Sequence, residues 1–481
     1  IRETLLLRSG RDDPVHGERG VRNGMTVLFE SDWVASSPYF YNTRTGKAGP
    51  FINDVIDCAN LEIDHQGLRD YMDFGYCVFG HKPVRDVHVL PHSSRLVRLD
   101  DGTLRVERME DAAVKALDET ALSEDEIWEW LRDSVRRWEA SVDGEIVIPT
   151  SGGYDSRILN WMVGDKERIR SFTYGITSPQ SASSEVVYAQ ELSRRLGTSW
   201  QQVELGAFHN YLDEWYSLYG VSTHAHGMYH FEFFNAIKAL LPPETRKVPM
   251  LSGHFGDDWA GRFAPLVSSP EELPLLGLTH GMNADSSQCR VQEDSVARME
   301  YWEEHRERLE DPRLRVIEVL RHKQVLLSYL FRVPEKLGYV PWCPFLDLHL
   351  AAAMLNLPPN RRKNRGWQQD FFRKNGIMVE DLCRPKNLPN TLNMQALERV
   401  PPPPLDREIL SEVVVPDYVD WINKYIHRTP WNSLQEAVMS IRGMGRLWHV
   451  FTHRIPKTNR LRAYLAYLVL YPIERLLRSR V

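Results

Sequence analysis

The stretch EIVIPTSGGYDS, Glu145 to Ser156, decides the fold: a short apolar run suited to a buried strand leads straight into a loop with two adjacent glycines. Helical spacing follows at Ile158, Leu159 and Met162, so the unit reads strand, turn, helix. Such a turn leaves backbone N–H groups and a helix N-terminus free to hold phosphate oxygens, and glycine is needed because a Cβ would block the approach. No Gly-Lys-Ser/Thr follows, so this is not a Walker A sequence. Alone, the turn is equally compatible with a plain link between strand and helix. Asp155 adds a specific chemistry, because a carboxylate binds no anion but can hold Mg²⁺ on a polyphosphate.

Downstream the same pattern recurs. Ser171 to Gly175 (SFTYG) is a second strand, a helix runs from about Ser184 to Leu196 and ends at Gly197, and a third strand lies near Trp200 to Leu205. A fourth strand, Lys247 to Leu251, enters the turn Ser252-Gly253-His254-Phe255-Gly256-Asp257-Asp258. Strands alternating with helices predict an α/β fold with a parallel, doubly wound sheet and a ligand site at the carboxyl ends of the strands. Both glycine-bearing turns then share one edge. Asp155 and Asp257 together suit a magnesium–triphosphate complex, since Mg²⁺ takes one or two protein carboxylates plus phosphate oxygens. Either one is equally suited to capping a helix.

On the N-terminal side, Arg95 to Leu99 and Leu104 to Glu107 alternate about a Gly102 turn and predict a β-hairpin. Ser123 with Glu126 forms a capping box ahead of an amphipathic helix through Ile127, Leu131, Val135 and Trp138. Beyond Asp258 the chain reads as mainly helical, with a solvated helix from Arg298 to Asp311 stopped by Pro312. Pro401 to Pro404 reads as a stiff connector, followed by a helical tail. The tail's apolar stretch, Ala463 to Ile473, is flanked by arginines, which suits packing on the core, a dimer contact, or peripheral contact with an anionic bilayer. Three regions follow: an α+β domain over 1–122, the α/β domain over 123–399, and a linker with helical tail over 400–481.

Composition sets the outer bounds. The 481 residues carry 59 Lys plus Arg against 65 Asp plus Glu, a net charge of −6, which excludes a strongly basic nucleic-acid wrapper. No apolar run approaches the ~20 residues that cross a bilayer, and the first residues lack a signal-peptide pattern, so a cytoplasmic protein is expected. Five scattered cysteines without a CxxC pair indicate neither a disulfide framework nor a thiolate zinc site. The 14 tryptophans favour core packing over a sugar- or base-lined groove.

The motifs SGGYDSR, SFTYGI and LSGHFGDD, then Pro344-Phe345-Leu346-Asp347 and Arg384-Pro385-Lys386, resemble in order and spacing the synthetase domain of the asparagine synthetase family. That family includes β-lactam synthetases and lasso-peptide cyclases; the resemblance covers about Ser123 to Pro389 and implies a PP-loop fold like that of the adenine nucleotide alpha hydrolases. More weakly, Asp57 to Arg108 resembles the latter part of the family's Ntn-type glutaminase domain. The resemblance implies ATP and Mg²⁺ as cofactors, adenylation of a substrate carboxylate with release of pyrophosphate, and amide formation by an amine or ammonia. Carried over by position, Ser151, Gly152, Gly153, Asp155 and Ser156 are similar to the pyrophosphate loop, and Thr150, Tyr174, Ser252 and Gly253 to the nucleotide contacts. Asp155 and Asp257 stand as magnesium ligands and Lys386 as the cation on pyrophosphate.

The departures are equally informative. The family's glutaminase uses a cysteine as first residue of the mature chain, whereas the sequence begins with Ile1 and has no cysteine before Cys58, so a degenerate glutaminase-like domain and a separate glutaminase or other nitrogen source are expected. His254 replaces the glutamate of the SGEG turn, and Gly220-Val221-Ser222 stands where an Asp-Glu-Pro segment is usual, which makes aspartate a doubtful substrate. By resemblance to a tyrosine–acid pair in β-lactam synthetases, His254 oriented by Asp347 is a candidate base for the nitrogen nucleophile; a plain loop histidine is the alternative. His224, His226 and His230 have a spacing open to metal binding, though no acidic partner completes a zinc site. Substrate contact by His226 or Tyr229 is the better expectation. An ATP-dependent, AMP-forming carbon–nitrogen ligase is therefore expected, with a sugar uronate of surface-polysaccharide synthesis as one substrate class. Intramolecular ring closure is the chemical alternative. A nucleotide-binding pseudoenzyme scaffold is the non-catalytic one, and retention of Asp155, Asp257 and Lys386 together argues against it.

Overall fold

In the computed structural model, five parallel strands form a sheet in the order Ser199–Gln202, Ile169–Thr173, Ile146–Pro149, Val248–Leu251, Tyr339–Trp342. The structure describes residues 19–22, 25–242, 247–290, 296–427 and 458–480. Ile146, Val147 and Ile148 are fully buried, as expected for a central strand covered on both faces. From this strand the chain builds two strands to one side, then returns to place Val248–Leu251 and Tyr339–Trp342 on the other. Strand order therefore reverses between Ile146–Pro149 and Val248–Leu251, where an open α/β sheet leaves a crevice at its carboxyl edge. Both glycine-bearing turns emerge there.

The third strand stops at Gln202 rather than Leu205 because Gln180 takes over the backbone: its side chain donates to Leu205 O at 2.6 Å and accepts from Leu205 N at 3.1 Å. The fifth strand was not legible as such. Its sequence, YVPW, is short and holds a proline, which a sheet tolerates at an edge, the position it occupies. Pro312 does separate two helices, but it does so as the first residue of Pro312–Leu327, capped by Asp311. The capping box of Ser123 and Glu126 is present and opens Glu124–Ala140.

The N-terminal region forms two antiparallel sheets. One joins Arg19–Arg22, Met25–Glu30, Ser94–Leu99 and Leu104–Arg108, including the expected hairpin with Gly102 at φ +85°. The other joins Ala48–Gly49, Phe40–Asn42 and Val87–Val89. A buried ion-pair seam ties this region to the α/β domain: Arg321 donates to both oxygens of Asp111 at 2.8 Å and to Glu318 at 2.8 Å. His92 converges on the same two carboxylates, but Arg308 and Arg321 already hold them, so the cluster is a structural joint rather than a metal site. The residues before Arg19, including the chain start, lie outside the described residues.

At the other end, Pro401–Pro404 has no regular structure, and the helix Asn459–Arg478 follows. Its apolar residues are buried from Ala463 to Leu477, against Pro416–Tyr425 and the turn Ala225–Met228. Tyr464 meets His209 at 3.0 Å. The apolar face of this helix is thus covered by the protein itself. No helix among the described residues is long and apolar enough to cross a membrane.

Candidate active site

The turn after Ile146–Pro149 is held by its own serines. Ser151 Oγ accepts from Gly153 N at 3.1 Å, and Ser156 Oγ donates to Ser151 O at 3.0 Å. Gly153 precedes the helix Tyr154–Met162 with no side chain capping it, so the first N–H groups of that helix are not taken by a cap. Gly152 has a packing reason as well: a Cβ there would stand 2.9 Å from the Tyr188 ring and 3.3 Å from Glu185 Cα. Ser151 and Gly153 remain exposed. This is an anion-binding geometry.

Asp155 is the second residue of that helix, in its first turn, and points across the crevice. Its Oδ2 accepts from Asp257 N at 2.9 Å, while Oδ1 is buried with no partner. Burial, with the nearby Asp257 charge, pushes its carboxyl well above the ordinary carboxylate range. The second turn is shaped around this side chain. A Cβ on Gly256 would lie 2.6 Å from the Asp155 carboxyl carbon, and one on Gly253 3.0 Å from Ser156 N. An orphaned carboxylate oxygen beside an exposed Asp257 suits Mg²⁺, a hard cation that takes carboxylate oxygens. Asp258 follows, paired with Arg262 at 2.6 Å and pushed up to about 6 by burial and by Asp257. Lys323 is buried near the same acids, and burial draws its ammonium down to about 8.

Thr150 is differently placed from its expected role as a nucleotide contact. Its hydroxyl donates to Ile148 O at 2.9 Å and accepts from Asn160 Nδ2 at 2.9 Å, inside a buried network that also holds Ser171. Ser252 Oγ is buried without a partner near the crevice. Tyr174 lies just past its strand, meeting Tyr229 and Phe233 edge-on at 5.7 and 5.2 Å. A run of rings continues from Tyr229 to His226 at 5.3 Å, to His230 at 4.5 Å, and on to Tyr329 at 4.7 Å. His224, His226 and His230, whose spacing alone is open to metal binding, are not among the residues whose ligand atoms converge on one point in the described residues. Burial holds all three neutral, His226 at about 4.

His254 and Asp347 do not form the expected pair. Asp347 Oδ1 accepts from Leu350 N at 2.8 Å and caps the helix Leu348–Asn356. His254 packs edge-on to Phe331 at 5.9 Å, with no carboxylate partner among the described residues. Burial alone draws its imidazole down to about 3, which makes a weak base. Lys386 is exposed, in a segment without regular structure. That segment is anchored at both ends to the crevice: Glu380 takes two hydrogen bonds from Arg157, at 2.7 and 2.8 Å, and Thr391 N donates to Ile176 O at 2.8 Å. Arg157, fully buried, also donates to Gly152 O at 2.9 Å. Its place directly after the SGGYDS motif was a signal the sequence offered and the reading left unassigned.

Among curated proteins none matches the chain. Among solved structures, the glutamine-dependent NAD+ synthetase from Acinetobacter baumannii, in complex with adenosine diphosphate, is 19% identical over 50% of this chain, with a TM-score of 0.22. The match spans 41% of that synthetase, well under half its length. The asparagine synthase family model matches residues 126–376, just over half of the chain and the whole of the parallel sheet with both its turns. The chain belongs to the asparagine synthase family.

Proposed function

We propose that this protein is an ATP-dependent amide-forming ligase that adenylates a substrate carboxylate, releases pyrophosphate, and passes the acyl group to a nitrogen nucleophile. The observation that carries the reading is the buried Asp155 carboxylate, which faces Asp257 across the switch point beside an uncapped glycine turn. A carboxylate that attacks an α-phosphorus meets like charge, and the attack proceeds only where that charge is neutralised. Mg²⁺ held by Asp155 and Asp257 would supply charge neutralisation on the phosphates. The backbone N–H groups of Ser151, Gly152 and Tyr154 and the helix behind them bind the β- and γ-phosphates, the Gly153 N–H staying on Ser151 Oγ, and Lys386 meets the charge that develops on the leaving group. Ser252 and Gly253 flank the nucleoside side of the crevice.

The ring-lined wall from Tyr174 through Tyr229 and His226 supports a hydroxyl-rich acceptor whose one charge is its carboxylate, and a sugar uronate is such a molecule. Rings stack on its apolar face, and uncharged imidazoles bond its hydroxyls. The test is substrate-dependent exchange of labelled pyrophosphate into ATP across a panel of carboxylates with uronates included. Exchange with at least one carboxylate, lost in Lys386→Ala, is the expected result; a panel without exchange and without pyrophosphate release would overturn the ligase reading.

A further inference from the structure

Arg157 has a side chain only 1% exposed, and both of its terminal nitrogens are occupied by oxygens of the protein. One donates to Glu380 Oε2 at 2.7 Å and to Ile377 O at 3.4 Å; the other donates to Glu380 Oε1 at 2.8 Å and to Gly152 O at 2.9 Å. Its guanidinium also lies over the Tyr154 and Phe372 rings, 5.0 and 5.1 Å from their centroids. Buried and with these donors taken, Arg157 offers nothing to a phosphate. It joins instead a carbonyl of the glycine turn to the carboxylate that opens the Lys386 segment, 223 positions further along the chain.

That segment has little packing of its own. From Asp381 to Asn390 no residue is buried, and from Cys383 onward there is no regular structure. Asp381 meets Arg373 at 3.7 Å, but both are exposed and such a pair is worth little. The far end is tied where Thr391 N and Leu392 N both donate to Ile176 O, at 2.8 and 3.1 Å. Lys386 sits near the middle, so the two ties decide where its ammonium lies. A buried ion pair gains little stability over apolar packing of the same volume, and its best-attested use is to fix one arrangement over others. The planar fork of an arginine does this on both oxygens of a carboxylate at once.

We propose that Arg157 is a positioning residue that acts through Lys386. Resting on the adenylating reading above, its grip on Gly152 O and on Glu380 fixes the spacing between the glycine turn and the Lys386 segment, so that both meet one pyrophosphate. The turn supplies backbone N–H groups, the segment supplies the ammonium, and Arg157 holds the two parts in register without touching the ligand. Glu380 is the other half of the device. Its loss frees one end of the segment and leaves the turn, Asp155 and Asp257 where they are.

The test is a double-mutant cycle on the full chain, read as binding of inorganic pyrophosphate in the presence of Mg²⁺ by calorimetry, with thermal unfolding recorded for each variant. Lys386→Ala should weaken binding by about 10–100-fold, the worth of a charge-assisted contact. Glu380→Gln, close in shape but without the charge, should weaken it by about tenfold through misplacement of the ammonium. In the Lys386→Ala background the same change should cost less than about twofold, because the group it positions is gone. Glu380→Asp keeps the charge but draws the carboxylate back by one methylene, and should fall between parent and Glu380→Gln. Arg157→Lys should recover less than the parent, since an ammonium lacks the fork that spans both partners. An equal loss from Glu380→Gln in both backgrounds would make the pair a structural joint only and overturn the proposal, whatever the melting temperatures. Parent-like affinity in either Glu380→Gln or Lys386→Ala would overturn it too, and all three results leave the ligase reading standing. A parent protein that neither binds pyrophosphate nor exchanges it into ATP with any carboxylate would sink both.

Discussion

Ser151–Ser156 and Ser252–Asp258 leave neighbouring parallel strands at the same edge, yet the first opens a nine-residue helix, Tyr154–Met162, and the second a six-residue one, Gly256–Gly261. In the first turn the glycines keep backbone groups accessible, and its serines bond one another to hold the loop open. In the second, Gly253 and Gly256 are small because Asp155 and Ser156 already fill the space beside them. Similar words in sequence therefore answer to different demands: one turn receives an anion, and the other receives its neighbour's carboxylate while presenting Asp257 and Asp258. The difference teaches that a glycine-rich turn takes its role from what faces it.

The sharpest way to break this contrast is Asp155→Asn. Turnover of ATP should fall by about 10²–10³-fold, the worth of one preorganised electrostatic contact in a water-poor site. In chelator-treated protein the same change should raise stability by ~1 kcal/mol, because it removes a buried charge with an orphaned oxygen beside Asp257. Thermal unfolding with a steady-state assay reads both, and an active or less stable variant would contradict the site.

Gly256→Ala and Gly153→Ala separate the two turns directly. The first drives a Cβ to 2.6 Å from the Asp155 carboxyl carbon, whereas the second meets only the movable Ser151 hydroxyl at 3.0 Å. Gly256→Ala should cost about 1–3 kcal/mol by overpacking and about tenfold or more in rate through misplacement of Asp155. Gly153→Ala should leave urea unfolding within ~0.5–1 kcal/mol of the parent and raise the KM for ATP. The reverse ranking would mean the second turn is not built around Asp155.

His254 gives a smaller and qualitatively different effect. Its folded-state value near 3 lies below the ordinary 6.5, so the imidazole is neutral at every pH above about 4 and gains no proton between pH 8 and 5. The amide-forming step should then show no inflection near pH 6.5 that disappears in His254→Ala. An inflection there, lost with the substitution, would restore the base reading and require Asp347 to leave its cap. The smallest expected effect on chemistry belongs to Thr150→Val, which removes bonds to Ile148 and Asn160. It should cost ~1–2 kcal/mol in urea unfolding and change the KM for ATP by less than about twofold.

What the sequence by itself determined follows local rules. Periodicity and glycine placement located four of the five parallel strands, the helix from Ser184 to Leu196, the hairpin about Gly102 and the capping box at Ser123. Each of these depends on residues within one turn or one strand of each other, so a short window of sequence carries them. The pairing of Asp155 with Asp257 was legible for a related reason: adjacent strand ends in a parallel sheet bring their turns together wherever those turns lie in the chain. Tertiary structure alone decided the rest. Tyr339–Trp342 became a strand because an edge was open to it, and Thr150 turned inward because Asn160 and Ser171 were there to bond. Asp347 took a helix cap rather than a histidine, and His254 lost its basicity to burial that no neighbouring residue in sequence announces. Arg365 reached Tyr154 from 211 positions away, through a gap that Gly261 leaves. Burial and long-range contact are properties of how distant segments pack, and they set charge, basicity and direction for side chains whose identity alone leaves all three undetermined.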